Sequence, residues 1–144
     1  MLRALLMGLG LVVGLVGVRP AQAADQADLK VSVIHATKKA GPVDPALARI
    51  QSTLEKTFGG YTSFRELAKH KIELPLKKTK QIKLPNDQTA GFTYEGSVKD
   101  QEKIRLSIPR SRVDVSLRVP PRKVFYQAGL PYDGGILILA LYLR

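Results

Sequence analysis

The chain has no cysteine, and among its 144 residues histidine occurs only as His35 and His70. Without thiols there is no disulfide, no thiolate metal site and no thiol redox or nucleophilic chemistry. The lipid anchor that an exported lipoprotein carries on its first mature cysteine is excluded as well. Two histidines that share no helical spacing do not gather the three or four ligands of a zinc site, and the acidic residues do not repeat as a calcium loop. A lone histidine near a strand end is ordinarily a surface or hydrogen-bonded residue. The Gly-x-Ser-x-Gly turn of serine hydrolases is missing. Glycine pairs occur in the wrong places for a phosphate cradle: Gly59-Gly60 follows an expected helix and Gly134-Gly135 precedes an expected strand. Carboxylates such as Glu73 with Glu95 or Asp114 could meet for acid–base work, but nothing in the sequence selects them. Exposed strand acids among so many lysines read more simply as surface ion pairs. No catalytic, cofactor-binding or metal-ligating residue is assigned, and the chain is not read as an enzyme.

The N-terminal segment reads as an export signal. Arg3 supplies the charged start, Ala4 to Val18 an apolar run of 15 residues, and Ala21 and Ala23 the small residues of a cleavage site before Ala24. The run is short for a membrane span, which needs roughly 20 residues, and Gly8, Gly10, Gly14 and Gly17 weaken it as a permanent helix. Residues 1–23 are therefore expected as a cleavable signal peptide and residues 24–144 as a single basic domain, exported and free of any integral span. Its 121 residues can bury an ordinary core, held by packing and backbone hydrogen bonds.

Setting aside Arg3 and Arg19 leaves 21 basic residues against 12 acidic ones, a net charge of +9. The charge is uneven: seven Lys or Arg lie between Arg65 and Lys83, and seven more between Lys103 and Lys123, where Asp114 is the one acid. Such a field favours anionic partners, although a soluble protein with lysines facing water has the same composition. The basic runs lack interleaved aromatics on which bases could stack, and with an export signal in front intracellular nucleic acid is not an expected partner.

Apolar periodicity outlines an α+β fold. Leu29, Val31 and Val33 alternate with Lys30 and Ser32 as in a half-buried strand. Asp44 as a cap, Pro45 in the first turn and Gly59-Gly60 at the far end bracket one amphipathic helix with Leu47, Ile50, Leu54 and Phe58 on its apolar stripe. Period two then returns at Ile72–Leu76, Ile82–Leu84, Phe92–Tyr94, Ile104–Ile108, Val113–Val119 and Val124–Gln127. Lys77–Lys80 and Pro85-Asn86-Asp87 read as hairpin connections, with Leu74-Pro75 and Leu84-Pro85 as two arms of a hairpin. Ile136–Leu143 is apolar on both sides except at Tyr142, the mark of a central or sandwiched strand. The expectation is a mostly antiparallel sheet or sandwich of about seven to nine strands with one N-terminal amphipathic helix.

Alternation in the pair Ile104–Ile108 and Val113–Val119 directs Arg105, Arg112 and Arg118 to the solvent side, which makes them the candidate anion-binding patch. Taken together, Asp44-Pro45-Ala46-Leu47, Tyr61-Thr62-Ser63-Phe64, Leu84-Pro85-Asn86 and Gly134-Gly135-Ile136-Leu137-Ile138-Leu139 give a chain that resembles a group of small exported proteins of Gram-negative envelopes, a group without an assigned activity. The resemblance spans nearly the whole mature domain and rests on structural motifs, so it implies fold and location and transfers no functional residue. The leading functional expectation is a non-catalytic periplasmic or cell-surface interaction module, such as an accessory component of an envelope assembly, whose partner is an envelope protein. The alternative is a binder of anionic envelope polymers: lipopolysaccharide, acidic polysaccharide or extracellular DNA. No cofactor is expected.

Overall fold

The computed structural model describes residues 26–144; the expected signal peptide and its cleavage after Ala23 lie outside the described residues. Eight antiparallel strands follow: β1 (Gln26–Thr37), β2 (Ser63–Pro75), β3 (Thr79–Lys83), β4 (Thr89–Val98), β5 (Gln101–Ile108), β6 (Val113–Val119), β7 (Val124–Tyr132) and β8 (Gly135–Leu143). They form two four-stranded sheets, sheet A in the order β2-β1-β8-β7 and sheet B in the order β3-β4-β5-β6. One core cluster joins their inner faces, with Leu29, Val31, Val33, Leu74, Leu139 and Leu141 from sheet A meeting Phe92, Tyr94, Ile104, Leu106, Leu117 and Val119 from sheet B. The protein is a β-sandwich, as period two along nearly every segment requires.

β8 lies between β1 and β7, with Val31 opposite Leu141 and Gln127 opposite Leu139. Its inner residues Leu137, Leu139, Leu141 and Leu143 fill the sandwich, while Ile138 and Ala140 are buried on the other face. This double burial explains the unbroken apolar run.

The outer face of sheet A is covered over one half only. There a second cluster places Leu47, Leu54, Ile50 and Phe58 over Ile34, Ala36, Phe64, Ile138 and Ala140. The covering segment differs from the single helix that the spacing predicts between Asp44 and Gly59. It is a 3-10 turn, Pro45–Leu47, followed by the two-turn helix α1 (Gln51–Thr57). Asp44 ties it down: one carboxylate oxygen accepts from Ala46 N at 3.0 Å and the other from Glu66 N at 2.8 Å on β2. Ala48 N bonds Pro45 O and Ile50 N bonds Leu47 O, so the start is wound at three residues per turn before α1 takes over.

Two connections also differ from expectation. Lys77–Lys80 is not a hairpin loop, because β2 and β3 belong to different sheets and the segment carries the chain from sheet A to sheet B. Leu76 makes an isolated parallel bridge with Tyr94, and Lys77, at φ 61°, donates its N–H to Tyr94 O at 2.7 Å. Leu74-Pro75 and Leu84-Pro85 are accordingly not two arms of one hairpin. β2 also begins well before Ile72. A bulge opposite Val33/Ile34 sets Leu67 and Ala68 both against the core, which breaks period two in the sequence just where the strand is running.

Candidate functional site

Half of the outer face of sheet A is left uncovered, and strand register determines what stands there. With Leu29 and Val31 in the core, Asp28, Lys30 and Ser32 face outward from β1; with Ile72 and Leu74 against the core, Lys69, Lys71 and Glu73 face outward from β2. Register sets Lys30 directly opposite Lys71, Ser32 opposite Lys69, and Asp28 opposite Glu73. Like charges therefore stand opposite like charges, an arrangement that opposes folding. On the other flank Lys30 is opposite Tyr142, and Arg144 N donates to Asp28 O at 3.2 Å, which brings the Arg144 side chain to the same end of the sheet.

The electrostatic consequence falls on Lys30. The Arg144 guanidinium first, then partial loss of solvent, then Lys71 and Lys69 hold its ammonium below its ordinary pKa. No ion pair within 4.0 Å relieves the group among the described residues, since the pairs found there, Lys103 with Glu95 and Arg105 with Asp114, belong to sheet B. A cleft of about 490 Å³ opens here, lined by Asp28, Lys30, Lys71, Glu73 and Arg144, with Lys80 reaching in from β3.

On the outer face of sheet B two of the basic residues are paired with acids, while Arg118 stands opposite Lys103. Arg105 binds Asp114 through two parallel bonds, Nε to Oδ1 at 2.8 Å and Nη2 to Oδ2 at 2.7 Å. Lys103 lies 3.4 Å from Glu95, and the Thr79 and Thr93 hydroxyls meet at 2.6 Å. The same bond to Arg105 depresses the pKa of the Asp114 carboxyl. These charges already have partners.

The three arginines singled out by alternation are distributed across this sheet. Arg105 and Arg118 project from β5 and β6, opposite Ser116 and Lys103 respectively. Arg112 lies outside both strands: it ends the 3-10 turn Pro109–Ser111 in the left-handed region at φ 54°. It stands six residues before Arg118, about 20 Å along a strand. The register sets Arg105 and Arg118 as diagonal neighbours on one face, with Arg105 bonded to Asp114 and Arg118 opposite Lys103, and Arg112 lies apart from them. The basic run Arg65–Lys83, with Lys69 and Lys71, is legible in the sequence, but its meeting with Lys30 is not, because that depends on the register that joins β1 and β2.

Other sites of interest carry no visible chemistry. His35 is buried and donates from Nε2 to the Tyr132 carbonyl at 3.1 Å, with the two rings edge to face at 5.0 Å between centroids. A cleft of about 600 Å³ beside it is lined by Pro42, Val43, Asp44 and Arg65, and its carboxylate is the one committed to Ala46 N and Glu66 N. His70 Nε2 is buried without a hydrogen-bond partner. Glu73 lies on sheet A, while Glu95 and Asp114 on sheet B are ion-paired, so the structure does not bring these carboxylates together. Among the described residues no group of three or more His, Asp or Glu is placed to hold a metal ion, and no helix is long and apolar enough to cross a membrane.

No family model matches the chain, no curated protein is similar to it in sequence, and no solved structure is similar to it in fold.

Proposed function

We propose that the domain is a non-catalytic interaction module of the cell envelope that binds anionic envelope polymers through the open half of sheet A. One observation carries the reading: Lys30, Lys69, Lys71 and Arg144 are gathered where they repel one another, whereas the basic residues Lys103 and Arg105 of sheet B are matched with acids. A cluster that opposes folding gains a favourable energy when an anion enters and releases its counterions. The export signal expected over residues 1–23 favours a partner outside the cytoplasm, such as acidic polysaccharide, lipopolysaccharide or extracellular DNA. Docking to an envelope protein, the leading expectation from the sequence, would use a surface other than β8, because β8 is interior.

The test is salt-dependent binding to a defined polyanion, for which a short DNA duplex serves as probe. Four phosphate contacts give a log–log slope of about −3 to −4, and loss of one contact flattens it by about one. Lys30→Gln and Lys71→Gln are expected to flatten the slope, and Arg105→Gln is expected to leave it unchanged. Equal slopes in all four proteins would remove the open face from consideration.

A further inference from the structure

The register of β1 and β2 sorts charge by sign as well as gathering it. Asp28 faces Glu73 in one outward row and Lys30 faces Lys71 in the next, two residues or about 7 Å along the strands. A slip of two residues would set Lys30 opposite Glu73, and the face would neutralise itself. Instead both rows line the same cleft, the cations reinforced by Arg144 and Lys80. Asp28 accepts one hydrogen bond, from Gln26 Nε2 at 3.2 Å, and neither carboxylate lies in an ion pair with the lysines beside it.

A simple anion satisfies only half of this arrangement, because its far side meets two carboxylates. We infer that the cleft is a binding site for a phosphoethanolamine-type group: a phosphate on Lys30, Lys71 and Arg144, and a primary ammonium, two carbons away, on Asp28 and Glu73. Such a ligand stabilises both rows at once and converts two repulsive pairs into charge-assisted hydrogen bonds. The inference rests on the reading of this face as the anion surface and specifies which anion the cleft selects. The group can come from a lipid headgroup or from a soluble phosphoethanolamine ester, and the chemistry recognised is the same.

Titration calorimetry with O-phosphoethanolamine, its N-acetyl derivative and inorganic phosphate tests the site, and vesicles of phosphatidylethanolamine and of phosphatidylcholine separate the lipid source from the free ester. O-phosphoethanolamine is expected to bind about tenfold tighter than either other small ligand. Asp28→Asn or Glu73→Gln, each checked by its melting curve, is expected to erase that preference while phosphate binding persists; Lys71→Gln is expected to weaken all three. Sedimentation with phosphatidylethanolamine vesicles alone assigns the lipid source, and binding of the free ester without vesicle binding assigns the soluble one. Equal affinity for inorganic phosphate and O-phosphoethanolamine, or a preference that survives both carboxylate substitutions, overturns the inference. In that case polyanion binding that still depends on Lys30 and Lys71 keeps the broader reading intact, and loss of that dependence removes both.

Discussion

Arg105 and Asp114 form a bidentate pair across β5 and β6, 2.7 Å apart at the closer contact, so the Arg105 guanidinium already has an acidic partner. Its pH dependence has a definite sign. The folded state holds the Asp114 carboxyl below its ordinary value, chiefly through the hydrogen bond from Arg105, so the folded state gives up its proton more readily than the unfolded chain. The contribution is present above about pH 4 and is lost as the pH falls through the depressed value. Melting curves of the native protein and of Asp114→Asn are expected to differ at neutral pH and to converge in acid.

Gly135 tests the seating of β8. A Cβ at this position would collide with Ala36 O, a backbone atom of β1 that cannot swing aside. Gly135→Ala is expected to destabilise the fold by about 1–3 kcal/mol or more through overpacking, read as a drop in the urea midpoint. An unchanged midpoint would contradict the close seating of Gly135 against β1.

Deletion of Ile136–Arg144 removes five side chains with under 2% exposure, Leu137, Ile138, Leu139, Leu141 and Leu143, each worth roughly 1.5–3 kcal/mol on burial. That loss matches or exceeds the whole stability of an ordinary domain, about 5–15 kcal/mol. The truncated protein is expected to show no cooperative melting, and light scattering is expected to report aggregates in place of a monomer.

The β4–β5 turn carries strain that can be relieved. Lys99 and Asp100 both sit in the left-handed region, at φ 50° and 63°, where a β-carbon is unfavourable. Asp100→Gly is expected to raise stability by about 1 kcal/mol, or roughly 3–6 °C in melting temperature.

Which residues face the core was legible in the alternation of apolar residues, and so was the identity of β8 as an interior strand. Ile104 opposite Leu117 and Leu106 opposite Val115 realise the pairing that alternation predicts for β5 and β6, since a short connection leaves few registers. β1 and β2 are different. The helical segment and a bulge separate them, so nothing local predicts that Lys30 meets Lys71 rather than an acid two residues away. The sheet change at Lys77–Lys80 was hidden for a related reason: a short polar connection serves a hairpin and a crossing between sheets equally well. The candidate site was therefore invisible as a cluster: alternation sets Lys30 and Lys71 on outward faces, while Lys69 lies before the strand that the spacing predicts.

On the proposed function, the open face of sheet A gives up stability in order to receive an anion. A lowered Lys30 pKa means that its charge opposes folding at neutral pH, and the penalty disappears as the pH rises above the depressed value. The most direct measurement is the melting temperature of the native protein, Lys30→Gln and Lys71→Gln at about 10 mM salt, where screening extends over about 30 Å, with and without a polyanion. Both variants are expected to melt higher than the native protein without ligand and to gain less when the polyanion is added. Variants that melt lower than the native protein, or that gain as much from the polyanion, would contradict the account.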